Sequence, residues 1–221
     1  MDGLNPAYSS VDGVLFDKAQ STLIAYPGGL GGSYSVPSTV SGISWYAFSL
    51  CAGLTNVTIP SSVTRIEGGA FYSCSGLTGI VIPSSVTSIG DSAFSWCTSL
   101  AGIYFQGNAP SAGSYVFDGA NNATVYHLPG TTGWDTFSGP AAVLWSPRVQ
   151  TSDASFGVRT NQFGFNVAWA DGMTVVVEAC TNPVNPTWVP VRTNTLNGDT
   201  LYFSDPQWTD HRSRFYRVRW Q

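Results

Sequence analysis

Charge is what this sequence has least of. Only 10% of its 221 residues are Asp, Glu, Lys or Arg, against about a quarter in an ordinary soluble domain. Lys18 is the single lysine and the net charge is −4, so the basic footprint that a nucleic acid requires is not expected. No run of 18 apolar residues occurs, and no membrane-spanning helix is predicted. The opening MDGLNPAYSS lacks the basic and apolar stretches of an export leader, so the signal peptide of an exported parent would lie outside this chain. Catalytic wording is missing too. There is no Gly-x-Ser-x-Gly elbow, and no Cys-x-x-Cys pair or neighbouring His to hold zinc. Asp153, Asp171, Asp199 and Asp205 are scattered over turns, whereas calcium needs clustered carboxylates. No metal, no cofactor and no catalytic residue is expected.

What is present is a sentence of 23 residues written three times, at 34–56, 57–79 and 80–102. Pro37, Val40, Ile43, Ala47, Phe48, Cys51 and Leu54 each recur 23 and 46 residues later. A period between 20 and 29 residues with ladders of Leu, Ile and Phe predicts a leucine-rich-repeat solenoid. In the second copy, Val57, Ile59, Val63, Ile66, Ala70, Phe71, Cys74 and Leu77 should face inward. Pro60 should end one strand, since it has no donor for a ladder, and Ser61–Ile66 should form a second extended edge. Ala70–Cys74 should make a short turn or a single helical turn. The wording decays over 103–125, where Phe117 keeps the Phe position and Ala120 replaces Cys, and Val125-Tyr126-His127 offers one more rung. The expected solenoid is right-handed with about five coils. Cys51, Cys74 and Cys97 read as small buried thiols inside the coils.

The solenoid, 34–147, needs covers for its ends. Segment 1–33 supplies one, a hairpin of Val14–Phe16 with Leu23–Tyr26. The other is 128–147, where Trp134, Phe137 and Trp145 stand among Gly and Pro. Polar residues 148–155 read as a linker. From 156 to 221 the pattern changes to short alternating runs separated by turn signals at 170–172, 182–183, 185–186 and 197–199, which predicts a small antiparallel β-sandwich. The whole chain is thus mainly β.

The repeat wording Ile-Pro-Ser-Ser-Val-Thr-x-Ile-x-x-x-Ala-Phe-x-x-Cys-x-x-Leu resembles the BspA-like leucine-rich repeats of bacterial surface proteins. Gly13–Asp17 with Leu23–Pro27, and the tail Val125–Trp134, are similar to segments that flank such repeats, although His127 stands where Tyr is more usual. Val177–Asn182 and Arg214–Val218 resemble immunoglobulin-like modules fused to them. The resemblance implies a secreted or cell-surface binding and adhesion protein, with a protein or glycan partner. It supplies no catalytic residue.

Candidate sites follow from the letters that differ between copies. Ser35, Thr58, Val81 and Tyr104 should point outward from the concave sheet, with Asn56 and Gln106 beside them. Asn56, Thr58, Val81, Tyr104 and Gln106 are therefore the candidate binding residues, and Tyr104 is the aromatic anchor among them. Trp45, Tyr46, Tyr72 and Trp96 sit near the Phe ladder, where they either pack on the next coil or stack on a sugar or protein. His127 and Asp135, with Trp134, mark the one place where a hydrolase site is conceivable, although no nucleophile, base and orienter are apparent there. Arg212, Arg214, Arg217 and Arg219 crowd the last ten residues and read as a solvated face, with Arg217 and Arg219 outward and Tyr216, Val218 and Trp220 inward.

Overall fold

The computed structural model describes residues 5–145, 148–152, 154–168, 174–195 and 200–220. The turns expected at 170–172 and 197–199 fall outside that set, as do Asp153, Asp171, Asp199 and the side chain of Trp220. The described structure is mainly β, with helix limited to two short 3-10 turns, Trp134–Thr136 and Trp208–Asp210. It divides into two compact units, 1–145 and 146–221.

The first unit is a β-solenoid of about five coils. One side is a seven-stranded sheet. It begins as an antiparallel meander of Tyr8–Val11, Val14–Asp17 and Thr22–Ala25, and continues in parallel through Gly42–Ile43, Arg65–Ile66, Ser88–Ile89 and Ser111–Ala112. The second side holds the parallel strands Gly79–Ile82, Gly102–Phe105, Thr124–His127 and Ala142–Leu144, and the pair Gly32–Ser35 with Leu54–Thr58. The Ala142–Leu144 rung carries no repeat letters. Nor is the Tyr8–Val11 strand part of the expected hairpin. Asp17 fixes the turn of that hairpin: its Oδ1 accepts from Ser21 N–H (2.7 Å) and Thr22 N–H (2.9 Å), and its Oδ2 accepts from the Ser21 hydroxyl (2.6 Å). Those bonds, the hydroxyl foremost, hold the Asp17 carboxyl below its ordinary pKa.

The third side has no strands, yet its backbone still bonds coil to coil. Phe48 N–H donates to Ala70 O (2.7 Å), Phe71 to Ala93 (2.8 Å) and Phe94 to Val116 (2.9 Å). Behind it runs a continuous aromatic stack. The rings of Phe48, Phe71, Phe94 and Phe117 lie 4.9, 5.2 and 5.7 Å apart and within 8° of parallel. All eight inward positions named for the second copy are buried.

The expected extended edge at Ser61–Ile66 is corrected to a turn and a two-residue strand. Val63 N–H closes onto Pro60 O at 3.1 Å, and Val40 and Val86 do the same onto Pro37 and Pro83. The second serine of the wording explains itself: Ser62 Oγ donates to Val40 O and Ser85 Oγ to Val63 O, each 2.7 Å. Cys74 and Cys97 Sγ likewise donate to Phe48 O and Phe71 O of the preceding coil, at 2.9 Å. The cysteines are all buried and unbridged, and burial pushes the Cys51 thiol up.

Each coil also carries two residues with left-handed backbone. Tyr46, Gly69, Ser92 and Tyr115 occupy one such position (φ 54 to 61°), and Leu50, Ser73, Trp96 and Gly119 the other (φ 55 to 72°). A side chain there costs roughly 1–2 kcal/mol, while glycine gives back about 0.5–1 kcal/mol through its looser unfolded chain. Leu50 is mostly exposed, so little packing offsets its strain. Leu50→Gly is expected to stabilise the chain by about 0.5–1 kcal/mol. A thermal melt should show Tm higher by a few degrees, and a lower Tm would contradict this account.

The second unit has two antiparallel sheets. One contains Arg148–Gln150, Gly157–Arg159, Gln162–Ala168 and Thr200–Asp205, the other Val189–Thr195, Thr174–Cys180 and Phe215–Trp220. Phe165, Val167, Val177 and Phe203 form their shared core, with Tyr216 and Val218 packed against it. The linker expected at 148–155 is corrected: Arg148–Gln150 pairs in register with Asn166–Ala168, because its alternating run completes that sheet's edge. Two buried carboxylates anchor the unit. Glu178 takes Nε bonds from Arg219 (2.8 Å) and Arg217 (2.7 Å), of which the Arg219 bond does most to hold its carboxyl below the ordinary range. Asp205 takes Arg214 Nε (3.0 Å), the Tyr216 hydroxyl (2.8 Å) and Gln207 N–H (2.9 Å). Arg214 is therefore part of the interior and not of the solvated face expected for it.

Candidate functional site

The strand face of the solenoid places the five candidate residues on two ladders. Thr58 stands opposite Ser35 and Asn56 opposite Ser33, and Asn56 and Thr58 are exposed. Val81 stands opposite Tyr104, which stands opposite Tyr126, which stands opposite Val143. Where the two ladders meet, Thr78 N–H reaches Thr55 O at 3.5 Å. Val81 and Gln106 are half-buried.

Tyr104 does not project freely. Its ring stacks on Tyr126 (4.9 Å, 10°) and meets Trp145 at 4.9 Å. It also folds back along its own strand, over the space that a Cβ on Gly102 would fill. The anchor role expected of it thus competes with packing against Gly102, Tyr126 and Trp145. What the strand face offers a partner is mainly the neutral hydroxyl and amide groups of Ser35, Asn56 and Thr58, with Val81 beside Tyr104.

The strandless side shows more aromatic surface. Trp45, Tyr46, Leu50, Trp96 and Tyr115 are all at least half exposed, whereas Tyr72 is half-buried. The rings of Trp45, Tyr46 and Trp96 occupy the space above Gly68, Gly69 and Gly119 of the following coil. Packing on the neighbouring coil is therefore real for these three. Leu50 and Tyr115 are not among the sequence candidates, although they share repeat positions with Trp96 and Tyr46.

At the end of the repeats, His127, Thr131, Trp134, Asp135 and Phe137 line a cleft of about 700 Å³. Thr131 Oγ1 donates to Leu128 O (2.6 Å) and accepts from Trp134 Nε1–H (2.8 Å). His127 Nδ1 lies 3.2 Å from the same carbonyl and 3.1 Å from the same hydroxyl. A carbonyl only accepts, so the contact to Leu128 O is a hydrogen bond in the tautomer that has its proton on Nδ1. The Thr131 hydroxyl is spent on Leu128 and is not held as a nucleophile, and the imidazole stacks on Trp134 at 5.0 Å. Among the described residues, no group of three His, Cys, Asp or Glu side chains could hold a metal ion, and no helix is long and apolar enough to cross a membrane.

Coils of this length, with an inner Phe and Cys ladder and Pro-Ser-Ser-Val corners, have counterparts among known proteins. Residues 32–135 match the BspA type leucine rich repeat region, in six copies. A solved leucine-rich repeat protein from Eubacterium ventriosum is 34% identical, with a TM-score of 0.53, over 57% of this chain and 34% of that one. The pneumococcal vaccine antigen PcpA is 21% identical over 64% of this chain and 43% of its own, with a TM-score of 0.47. A leucine-rich repeat protein from T. pallidum is 23% identical over 55% and 67%, with a TM-score of 0.42. The chain thus spans only about a third of the Eubacterium ventriosum chain and under half of PcpA. No curated protein matches it. All five candidate residues lie inside the matched residues 32–135, and the whole second unit lies outside them.

Proposed function

We propose that the chain is a non-enzymatic binding module of a secreted or cell-surface adhesion protein. Its solenoid, capped by segment 1–33, holds a protein or glycan partner on the strand face at Asn56, Thr58, Val81, Tyr104 and Gln106, and 156–221 is an immunoglobulin-like β-sandwich. The observation that carries this is the BspA-type repeat region itself. Its recurring letters are used up in the core, which leaves the differing, uncharged letters of the strand face to meet a partner. A rigid stack of coils offers such a face at low ordering cost. The two antiparallel sheets around Phe165 and Phe203 support the sandwich assignment.

The intact chain, applied to protein and glycan arrays, is expected to bind at least one partner class. Thr58→Lys and Val81→Lys should weaken that binding about tenfold or more, as a buried unmatched charge does. Absence of any binding above background would count against the module. Hydrolysis of an ester panel that disappears with His127→Ala would place an enzyme in the cleft instead.

A further inference from the structure

We infer that the strandless side of the solenoid is a second binding surface, built to stack an uncharged polysaccharide. The starting point is a conformation that stability does not ask for. Tyr46 and Tyr115 share one left-handed repeat position, and Leu50 and Trp96 share the other. The fold accepts glycine at both, since Gly69 and Gly119 occupy them in other coils. Large apolar side chains stand there nonetheless, Tyr115 75%, Leu50 69%, Tyr46 60% and Trp96 50% exposed. Leu50 and Tyr115 add exposed apolar area to a strained backbone with little packing to offset it. Tyr46 and Trp96 pack on a glycine of the next coil, with at least half of their surface left open. Strained positions of that kind collect at functional sites.

The way the rings are held points to the occupant. A Cβ on Gly119 would stand 2.7 Å from Trp96 Cδ2 and 3.2 Å from Cε2, so the indole lies across the backbone of the next coil with its fused ring. Tyr46 covers Gly69 in the same manner, and Trp45 covers Gly68 beside it. Each ring is supported from one side and open on the other, which suits the C–H face of a pyranose. With about 4.8 Å between coils, Leu50 and Trp96 are two coils or about 10 Å apart, and Tyr46 and Tyr115 three coils or about 14 Å. Those spans fit every second and every third ring of an extended sugar chain.

Charge narrows the class further. The acids on these turns are Glu67, Asp91 and Asp118. Among the described residues of the first unit the cations are Lys18, in the amino-terminal hairpin, and Arg65, which Glu67 engages at 3.2 Å. An anionic glycan would be repelled by these carboxylates, whereas a neutral one can donate a hydroxyl to the exposed Asp118.

Affinity electrophoresis of the intact chain tests the proposal, with gels containing a mixed-linkage β-glucan, a galactomannan, a mannan or dextran sulfate. At least one neutral polymer should retard the chain, and dextran sulfate should not. Trp96→Gly and Tyr115→Gly suit the left-handed backbone and keep the fold, which circular dichroism verifies. Each should weaken the retardation about tenfold, and the two together should abolish it. Retardation by none of the neutral polymers, or retardation unchanged in the double glycine variant, overturns the inference. If only the strand-face variants abolish binding, this surface fails while the proposed function stands.

Discussion

Phe71→Ala should cost the solenoid about 3–5 kcal/mol, the range for emptying a fully packed aromatic site. The ring has no solvent exposure and is stacked on both sides, by Phe48 at 4.9 Å and Phe94 at 5.2 Å, each 4° from parallel. Collapse of the neighbours into the gap would soften the loss. It is opposed here, because Phe48 N–H to Ala70 O and Phe71 N–H to Ala93 O fix the spacing of the coils. The cavity therefore persists, and cavity volume is what raises the cost of such truncations above simple transfer. Urea unfolding followed by far-ultraviolet circular dichroism would measure it, with Phe71→Leu as the comparison expected to lose much less. A loss below about 1 kcal/mol for the alanine variant would mean that the stack is not what holds the coils at their spacing.

Asp205→Ala should be comparably damaging in the second unit, at about 3–5 kcal/mol. The carboxylate is 1% exposed and takes three donors, from Arg214, Tyr216 and Gln207. Removing it leaves the Arg214 guanidinium, itself only 12% exposed, as an uncompensated interior charge, and strands the Tyr216 hydroxyl. That phenol is not an alternative anion at any ordinary pH: burial, and then its bond to Asp205, push its pKa well above the usual range. The double replacement Asp205→Leu with Arg214→Met should cost distinctly less than Asp205→Ala alone, since it removes both charges at once. Tryptophan fluorescence during urea unfolding gives both values. If the single and double variants lose the same amount, the interior charge is not the source of the penalty.

The sequence disclosed the parts of the fold that repeat and hid the parts that close it. Six of the eight core positions named for the second copy were legible because the same letters recur at 23 residues, and Val57 and Ile59 by strand alternation; inner packing is the one demand that the copies share. The Pro-Ser-Ser-Val corner was misleading: Ser61–Ile66 reads as one extended edge, although only Arg65–Ile66 is strand. The turn is set by Val63 bonding Pro60 and by Ser62 reaching into the coil before it, and neither is visible in alternation. Tyr104 was correctly placed outward, but its partners Tyr126 and Trp145 come from outside the clear repeats, and only folding brings them to its ring. Asp205 and Arg214 read as a turn acid and a surface base, because sequence gives no sign of their mutual burial. The hairpin turn at Thr160–Asn161, with φ 44 and 62°, lacks the glycine that usually marks such a turn.

The side-chain bonds between coils have a direction, and that direction bears on the order of assembly. Ser62 and Ser85 donate to Val40 and Val63, and Cys74 and Cys97 donate to Phe48 and Phe71. In these four the donor belongs to the later coil and the acceptor to the earlier one, whereas Ser95 Oγ donates forward to Tyr115 O. For these four bonds a chain delivered amino end first finds its acceptors already in place, and a newly arrived coil can lock onto the finished edge before the next appears. Growth by accretion of this kind needs no long-range search, and the antiparallel meander at the amino end is the foundation on which it starts.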